Sequence, residues 1–184
     1  VNTNGNLTFS GALGQFTPEA FPVSSRPMIA PYWADVDIRG GGYPAQNGVF
    51  WVLTPGQMVV TWKDVGYYSI HDNLKMSFQL LITSGSDCSE GDFDVEFRYE
   101  RCEWTTGEAS GGVGGFGGTP AQAGFDAGNL RDFVEIMNSR TGTIHTTLCT
   151  MSNVGEPGIW RFQIRSGTVI CPDAGRACET GDRG

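Results

Sequence analysis

The sequence predicts an all-β domain: an antiparallel β-sandwich, jelly-roll-like, with long glycine-rich loops. Three observations carry this. Apolar and polar residues alternate with a period of two along several segments, the mark of half-buried strands. No window sustains a 3.6-residue period over three turns. The 27 glycines and 9 prolines, with only 17% charged residues, are too many chain-punctuating residues for a helical bundle. At 184 residues the chain is long enough for one domain with a sizeable core.

In chain order, 6–10 is a short strand candidate. Segment 48–54 is apolar on both faces, with Val49, Trp51 and Leu53 against Phe50 and Val52, which predicts a central strand. Segment 57–64, with Met58, Val60 and Trp62 inward, completes a hairpin with it across Thr54-Pro55-Gly56. Segment 76–83 turns Met76, Phe78, Leu80 and Ile82 inward. Along 93–101, Phe93, Val95, Phe97 and Tyr99 share one face, and Asp94, Glu96, Arg98 and Glu100 the other. Short strands are expected at 121–125 and 133–136, and a longer one at 158–165 with Trp160, Phe162 and Ile164 inside. Beyond Ser166 the apolar pattern gives way to small polar residues, so 1–166 is read as the domain and 167–184 as a cysteine-containing linker or the start of a following module. Asn4-Gly5 is a turn signal that normally joins two strands, which places a further strand before Val1 and makes the chain part of a longer protein.

The net charge of −8 argues against nucleic acid and anionic membrane as partners, since both need clustered Lys and Arg. No run of 18 apolar residues marks a membrane span, and any secretion signal lies upstream of Val1 or has been removed. The five cysteines, Cys88, Cys102, Cys149, Cys171 and Cys178, form no C-x-x-C pair, so zinc ribbons and dithiol redox sites lack support. Disulfides in an oxidising compartment account for them better than buried thiols do. Cys102–Cys149 is the favoured pair because both flank ordered-looking segments; Cys171 and Cys178 close a local loop, and Cys88 is left over. Asn6-Leu7-Thr8 is an N-x-T sequon, compatible with secretion in a eukaryote.

Few residues carry chemistry. Gly112–Gly117 fits G-x-G-x-x-G, but Thr119-Pro120 and a short strand follow where a dinucleotide site needs a helix, so a structured glycine loop is expected. Asp35 and Asp37 are spaced i, i+2 and place two carboxylates on one side of an extended segment, the start of a calcium site. The plain alternative is strand-end carboxylates accepting backbone N–H groups or pairing with Arg39. Asp92 and Asp94 share that spacing but continue a solvated strand face. His71 and His145 sit in neither H-E-x-x-H nor any other catalytic motif, and G-x-S-x-G is absent. Of the tryptophans, Trp51, Trp62 and Trp160 read as core; Trp33 and Trp104 lie in loop-rich motifs where sugar stacking is the competing role.

Eight segments in order resemble the nidogen-like domain: VNTNGNLTFS at 1–10, QFTPEAFP at 15–22, APYWADVDIRG at 30–40, VVTWKDVGYY at 59–68, SFQLLIT at 77–83, WTTGEASGG at 104–112, AQAGFDAGN at 121–129 and SNVGEPGIWRFQI at 152–164. The family's usual lead-in before the opening turn is absent, and the tail after Arg165 lies outside the resemblance. The resemblance implies a secreted or cell-surface module of cell–matrix adhesion, without catalysis or a required cofactor. Its implied partners are extracellular matrix or cell-surface proteins, with glycans as a further class. A calcium-assisted, lectin-like module using Asp35 and Asp37 is the alternative reading, and a carbohydrate-active enzyme the third.

Overall fold

A computed structural model describes residues 1–23, 26–41, 46–84, 89–170 and, by backbone alone, 178–180. It is nearly all β, built from two antiparallel sheets. The strands are β1 (Leu7–Thr8), β2 (Met28–Trp33), β3 (Val36–Asp37), β4 (Gly48–Thr54), β5 (Gln57–Tyr67), β6 (His71–Thr83), β7 (Phe93–Cys102), β8 (Gln122–Asp126), β9 (Phe133–Ile136), β10 (Ile159–Arg165), β11 (Thr168–Ile170) and β12 (Cys178–Thr180). The small sheet runs β1-β2-β8-β9-β12. The large one runs β11-β10-β7-β6-β5-β3, with β4 on β5 as well. Strands β4 to β7 pair in chain order, so that part of the large sheet is a meander. Of the jelly-roll expectation, the pairing supports the two antiparallel sheets.

The period-two pattern sets the core. Val60, Trp62, Met76, Phe78, Leu80, Val95, Phe97, Trp160 and Phe162 are buried at 2% exposure or less, and they belong to alternate positions of β5, β6, β7 and β10. Across from them the small sheet contributes Ile29, Tyr32, Ala123, Val134 and Ile136 to the same cluster. Two tyrosine hydroxyls tie the layers together: Tyr99 on β7 donates to the Pro31 carbonyl at 2.6 Å, and Tyr32 on β2 donates to the Trp104 carbonyl. Burial raises both phenols well above their ordinary pKa, so each stays a neutral donor.

Strand β4 departs from the expectation of a central strand. It is an edge strand, not a central one, and Trp51 is 61% exposed rather than core. The inward face is the one the alternation predicts: Trp51 pairs with Val60, which pairs with Leu80. Among the described residues nothing covers Trp51 and Leu53 on that face, and direction within a strand does not guarantee burial.

A helix, α1 (Ile144–Thr150), also escaped the sequence reading because its two turns are too short to show a period. Its buried Ile144 and Leu148 dock it on the core, and the Trp160 indole donates to the Leu148 carbonyl at 3.1 Å. That docking brings Cys149 to the end of β7, where it forms a disulfide with Cys102. Cys88 and Cys171 lie outside the described residues, as does the Cys178 side chain and with it the Cys171–Cys178 loop. Beyond Ser166, β11 continues the large sheet on β10 and the β12 backbone pairs with β9. At the front, the Asn4-Gly5 turn closes a bridge between Asn2 and Asn6 within the chain. Asn6 is fully buried and accepts from the Asn2 side-chain amide at 2.7 Å, so the folded sequon offers no site for a glycan.

The disulfide ties residues 47 apart. A closed loop of that length is worth about 2–4 kcal/mol. The double variant Cys102→Ser, Cys149→Ser is therefore expected to lose about that much stability. Urea unfolding of both oxidised proteins measures it, and an unchanged midpoint would contradict the assignment.

Candidate functional site

At one end of the sheets, three segments converge: the β2–β3 stretch with Asp35 and Asp37, the β5–β6 turn, and the glycine-rich stretch after β7. Trp104 anchors the last of these. Its fully buried indole lies edge-on to Tyr32 at 5.3 Å between centroids, tilts against Tyr67 at 5.7 Å and donates to the Val65 carbonyl at 3.2 Å. Thr105 and Thr106 then donate their N–H groups to one carbonyl, that of Gly115, at 2.8 and 3.0 Å, folding the glycine segment back on itself. A short 3-10 turn, Glu108–Ser110, sits at the bend.

Glycine is required here by crowding. A Cβ on Gly107 would fall 2.6 Å from Asp35 Oδ2, and one on Gly118 would fall 2.4 Å from the Ser110 carbonyl oxygen at a φ of +52°. Gly112–Gly117 is a tight turn bridged between Val113 and Phe116, with β8 following and no helix, so it has no phosphate cradle.

Both aspartates are 4% exposed, and their oxygens are engaged within the protein. Asp35 Oδ2 accepts the Ala109 N–H at 3.0 Å and fixes the 3-10 turn. Burial raises its pKa, against the lowering effect of the Ala109 and Ser110 N–H groups. Asp37 accepts the Arg39 Nε at 2.9 Å, the Arg39 Nη2 at 2.5 Å and the backbone N–H groups of Arg39 and Ile70, each at 2.9 Å. These bonds, the Arg39 side chain first, hold its pKa at about 2. The two carboxylates are thus used as braces. Among the described residues no group of three His, Cys, Asp or Glu is placed to hold a metal ion.

The braces fix an exposed surface. Arg39 lies over the Tyr68 ring at 5.6 Å, and Ile38, Tyr68 and Ile70 are 37%, 39% and 55% exposed beside it. The Glu108 N–H donates to the Tyr68 carbonyl at 2.8 Å, and Glu108 Oε1 meets His71 Nε2 at 2.8 Å. The sequence singled out Asp35, Asp37 and His71 but not Tyr68 or Ile70. The wording GYYSI gave no sign that its second tyrosine and isoleucine would face water. Trp33 and Trp104 are core, at 1% and 0% exposure, each donating to a backbone carbonyl, so neither presents a face to a sugar. His145 lies apart from this surface, against the Phe116 ring.

The chain belongs to the nidogen-like domain family, whose pattern matches residues 1–52 and 52–166. It is similar to mouse alpha-tectorin, at 35% identity over 205 aligned positions covering 95% of this chain and 9% of that protein. It is also similar to Drosophila melanogaster nidogen, at 25% identity over 89% of this chain and 13% of that protein. A third relative is the Caenorhabditis elegans dendrite extension defective protein 1, at 24% identity over the whole chain and 16% of that protein. The chain therefore spans about a tenth to a sixth of the curated relatives it matches. No solved structure matches it significantly.

Asp37 generates a pH prediction. Its pKa falls from 3.8 to about 2 on folding, so its stabilisation is full above pH 4 and is lost as pH drops through 2. Asp35 and Asp126, both raised by burial, act in the opposite sense and favour folding as pH falls. Comparison with Asp37→Asn isolates the first effect. Arg39 is 58% exposed, which discounts the ion pair, so wild type should lose about 1–2 kcal/mol more than the variant between pH 4 and pH 2. Denaturant unfolding at stepped pH measures the difference, and parallel profiles would refute it.

Proposed function

We propose that this chain is a non-catalytic extracellular module that binds matrix or cell-surface proteins through its braced loop end. The observation that carries the reading is the surface of Arg39, Tyr68 and Ile70. Exposed Tyr and Arg beside an aliphatic side chain form the composition of protein-binding hot spots. The support beneath them is rigid: Asp37 grips Arg39 and the Ile70 amide, and Asp35 grips the neighbouring turn. A surface ordered before contact loses less conformational entropy on binding.

Family membership and the Cys102–Cys149 disulfide support an oxidising, extracellular setting. Among the described residues no helix is long and apolar enough to cross a membrane. In this reading Asp35 and Asp37 are structural braces, and binding does not require calcium. A metal ion taking either carboxylate would have to displace a donor already in place. The domain is taken as residues 1–166, to whose two sheets β11 and the β12 backbone add edge strands.

The oxidised chain is expected to bind one or more members of a panel of purified matrix proteins saturably, equally in calcium and in chelator. The double variant Tyr68→Ala, Ile70→Ser should bind at least 10-fold more weakly with unchanged thermal unfolding, as loss of a hot spot costs roughly 2 kcal/mol. Surface plasmon resonance reads both. Binding that survives the variant, or that vanishes in chelator, would overturn this reading.

A further inference from the structure

Strand β4 presents a second surface, unrelated to the loop end. Phe50, Trp51, Val52 and Leu53 are 56%, 61%, 60% and 67% exposed, four consecutive large apolar side chains on one strand. They lie on both faces, since Trp51 and Leu53 oppose Val60 and Met58 while Phe50 and Val52 oppose Thr61 and Val59. Among the described residues the strand pairs only with β5, which leaves its other edge with backbone donors and acceptors open to a further strand. Natural edge strands are blunted by charge, proline or bulges. Here the pairing runs unbroken from Gly48↔Lys63 to Thr54↔Gln57, and no residue from Gly48 to Thr54 is charged or proline.

We propose that β4 is a homotypic interface, at which two copies of this chain join edge to edge through antiparallel β4–β4 pairing. Two properties favour a second copy. The first is charge. The chain carries −8, yet the hairpin from Gly48 to Trp62 contains no charged residue, so two copies can meet here without opposing like charges. The nearest charge on the hairpin, Lys63, sits at its base, and antiparallel pairing places the base beside the uncharged Pro55-Gly56 tip of the other copy. The second is the symmetry of the contact. Pairing over the seven residues of β4 covers the strand edge and the flanks of Phe50, Trp51, Val52 and Leu53 on both faces, a contact below the ~1,000 Å² of a stable interface and suited to weak association. An antiparallel two-fold also matches each apolar face of the strand to its own copy, extending the large sheet across the dimer. The proposal does not rest on the matrix-binding role.

Tryptophan fluorescence gives a local readout. Trp33, Trp62, Trp104 and Trp160 are at most 1% exposed, so a water-exposed emission component belongs to Trp51. The oxidised 184-residue chain, free thiols alkylated, is examined by sedimentation velocity and emission from about 1 to 100 μM, a range chosen to bracket a micromolar dissociation constant. The expected result is a dimer whose formation shifts the Trp51 emission to the blue. Leu53→Lys, at an exposed position, should stay monomeric throughout, with unchanged far-ultraviolet circular dichroism and melting. A monomeric wild type, a dimer without a Trp51 shift, or an equally dimeric Leu53→Lys protein would each overturn the proposal. Should Leu53→Lys misfold, Phe50→Lys on the opposite face is the second variant, with the same expectation.

Discussion

The indole of Trp104 is where both sheets and the glycine-rich loop meet, and the loop end depends on it. Its ring is packed by Tyr32 from the small sheet and Tyr67 from the large one, and its N–H reaches the Val65 carbonyl. Its own carbonyl receives the Tyr32 hydroxyl. Gly115 is stacked on it so closely that a Cβ there would come within 3.1 Å of the Trp104 Cβ. Buried aromatic side chains of this size contribute about 3–5 kcal/mol when truncated. Here the same side chain also decides where a backbone segment with few side chains of its own can lie.

That arrangement explains why polar groups near the loop end are buried yet ordered. A glycine-rich segment loses much entropy on folding and has little apolar surface to compensate. Its backbone must instead be held by hydrogen bonds. Thr105 and Thr106 supply two through Gly115, Asp35 holds Ala109, and Thr17 and Ser110 share a hydroxyl contact at 2.9 Å. Asp37 performs the same task for the β5–β6 turn through Ile70. Both carboxylates serve as capping groups for loops that lack regular structure. The disulfide does comparable work at the C-terminal end of β7 by fixing α1 to the sheet.

The two exposed surfaces differ in origin. At the loop end, Tyr68 and Ile70 face water because the turn carrying them is pinned from below. At β4, exposure follows from its place at the sheet edge: the strand keeps its apolar pattern, and among the described residues no layer covers its outer part. Alternation alone assigns Val49, Trp51 and Leu53 to the core side, and they do point that way. Val49 reaches the core cluster, whereas Trp51 and Leu53 remain in solvent.

Much of the fold was legible in residue order. The rows Phe93–Tyr99, Met76–Ile82 and Trp160–Ile164 face inward as their period demands, because a strand's side-chain direction is a local property set by the pleat. The Thr54–Gln57 hairpin is local too, fixed by Pro55 and by Gly56 at φ +79°. The eight segments shared with the nidogen-like domain were likewise readable in order, since family likeness needs no coordinates. What only the tertiary structure decided is everything that joins residues distant in sequence. It set which edge of the sheet stays open, and which donors occupy Asp35 and Asp37. It also set that a two-turn helix carries Cys149 to Cys102, and that Tyr68 and Ile70 come to lie beside Arg39. Such pairings depend on how two curved sheets terminate against each other, and no local period encodes that.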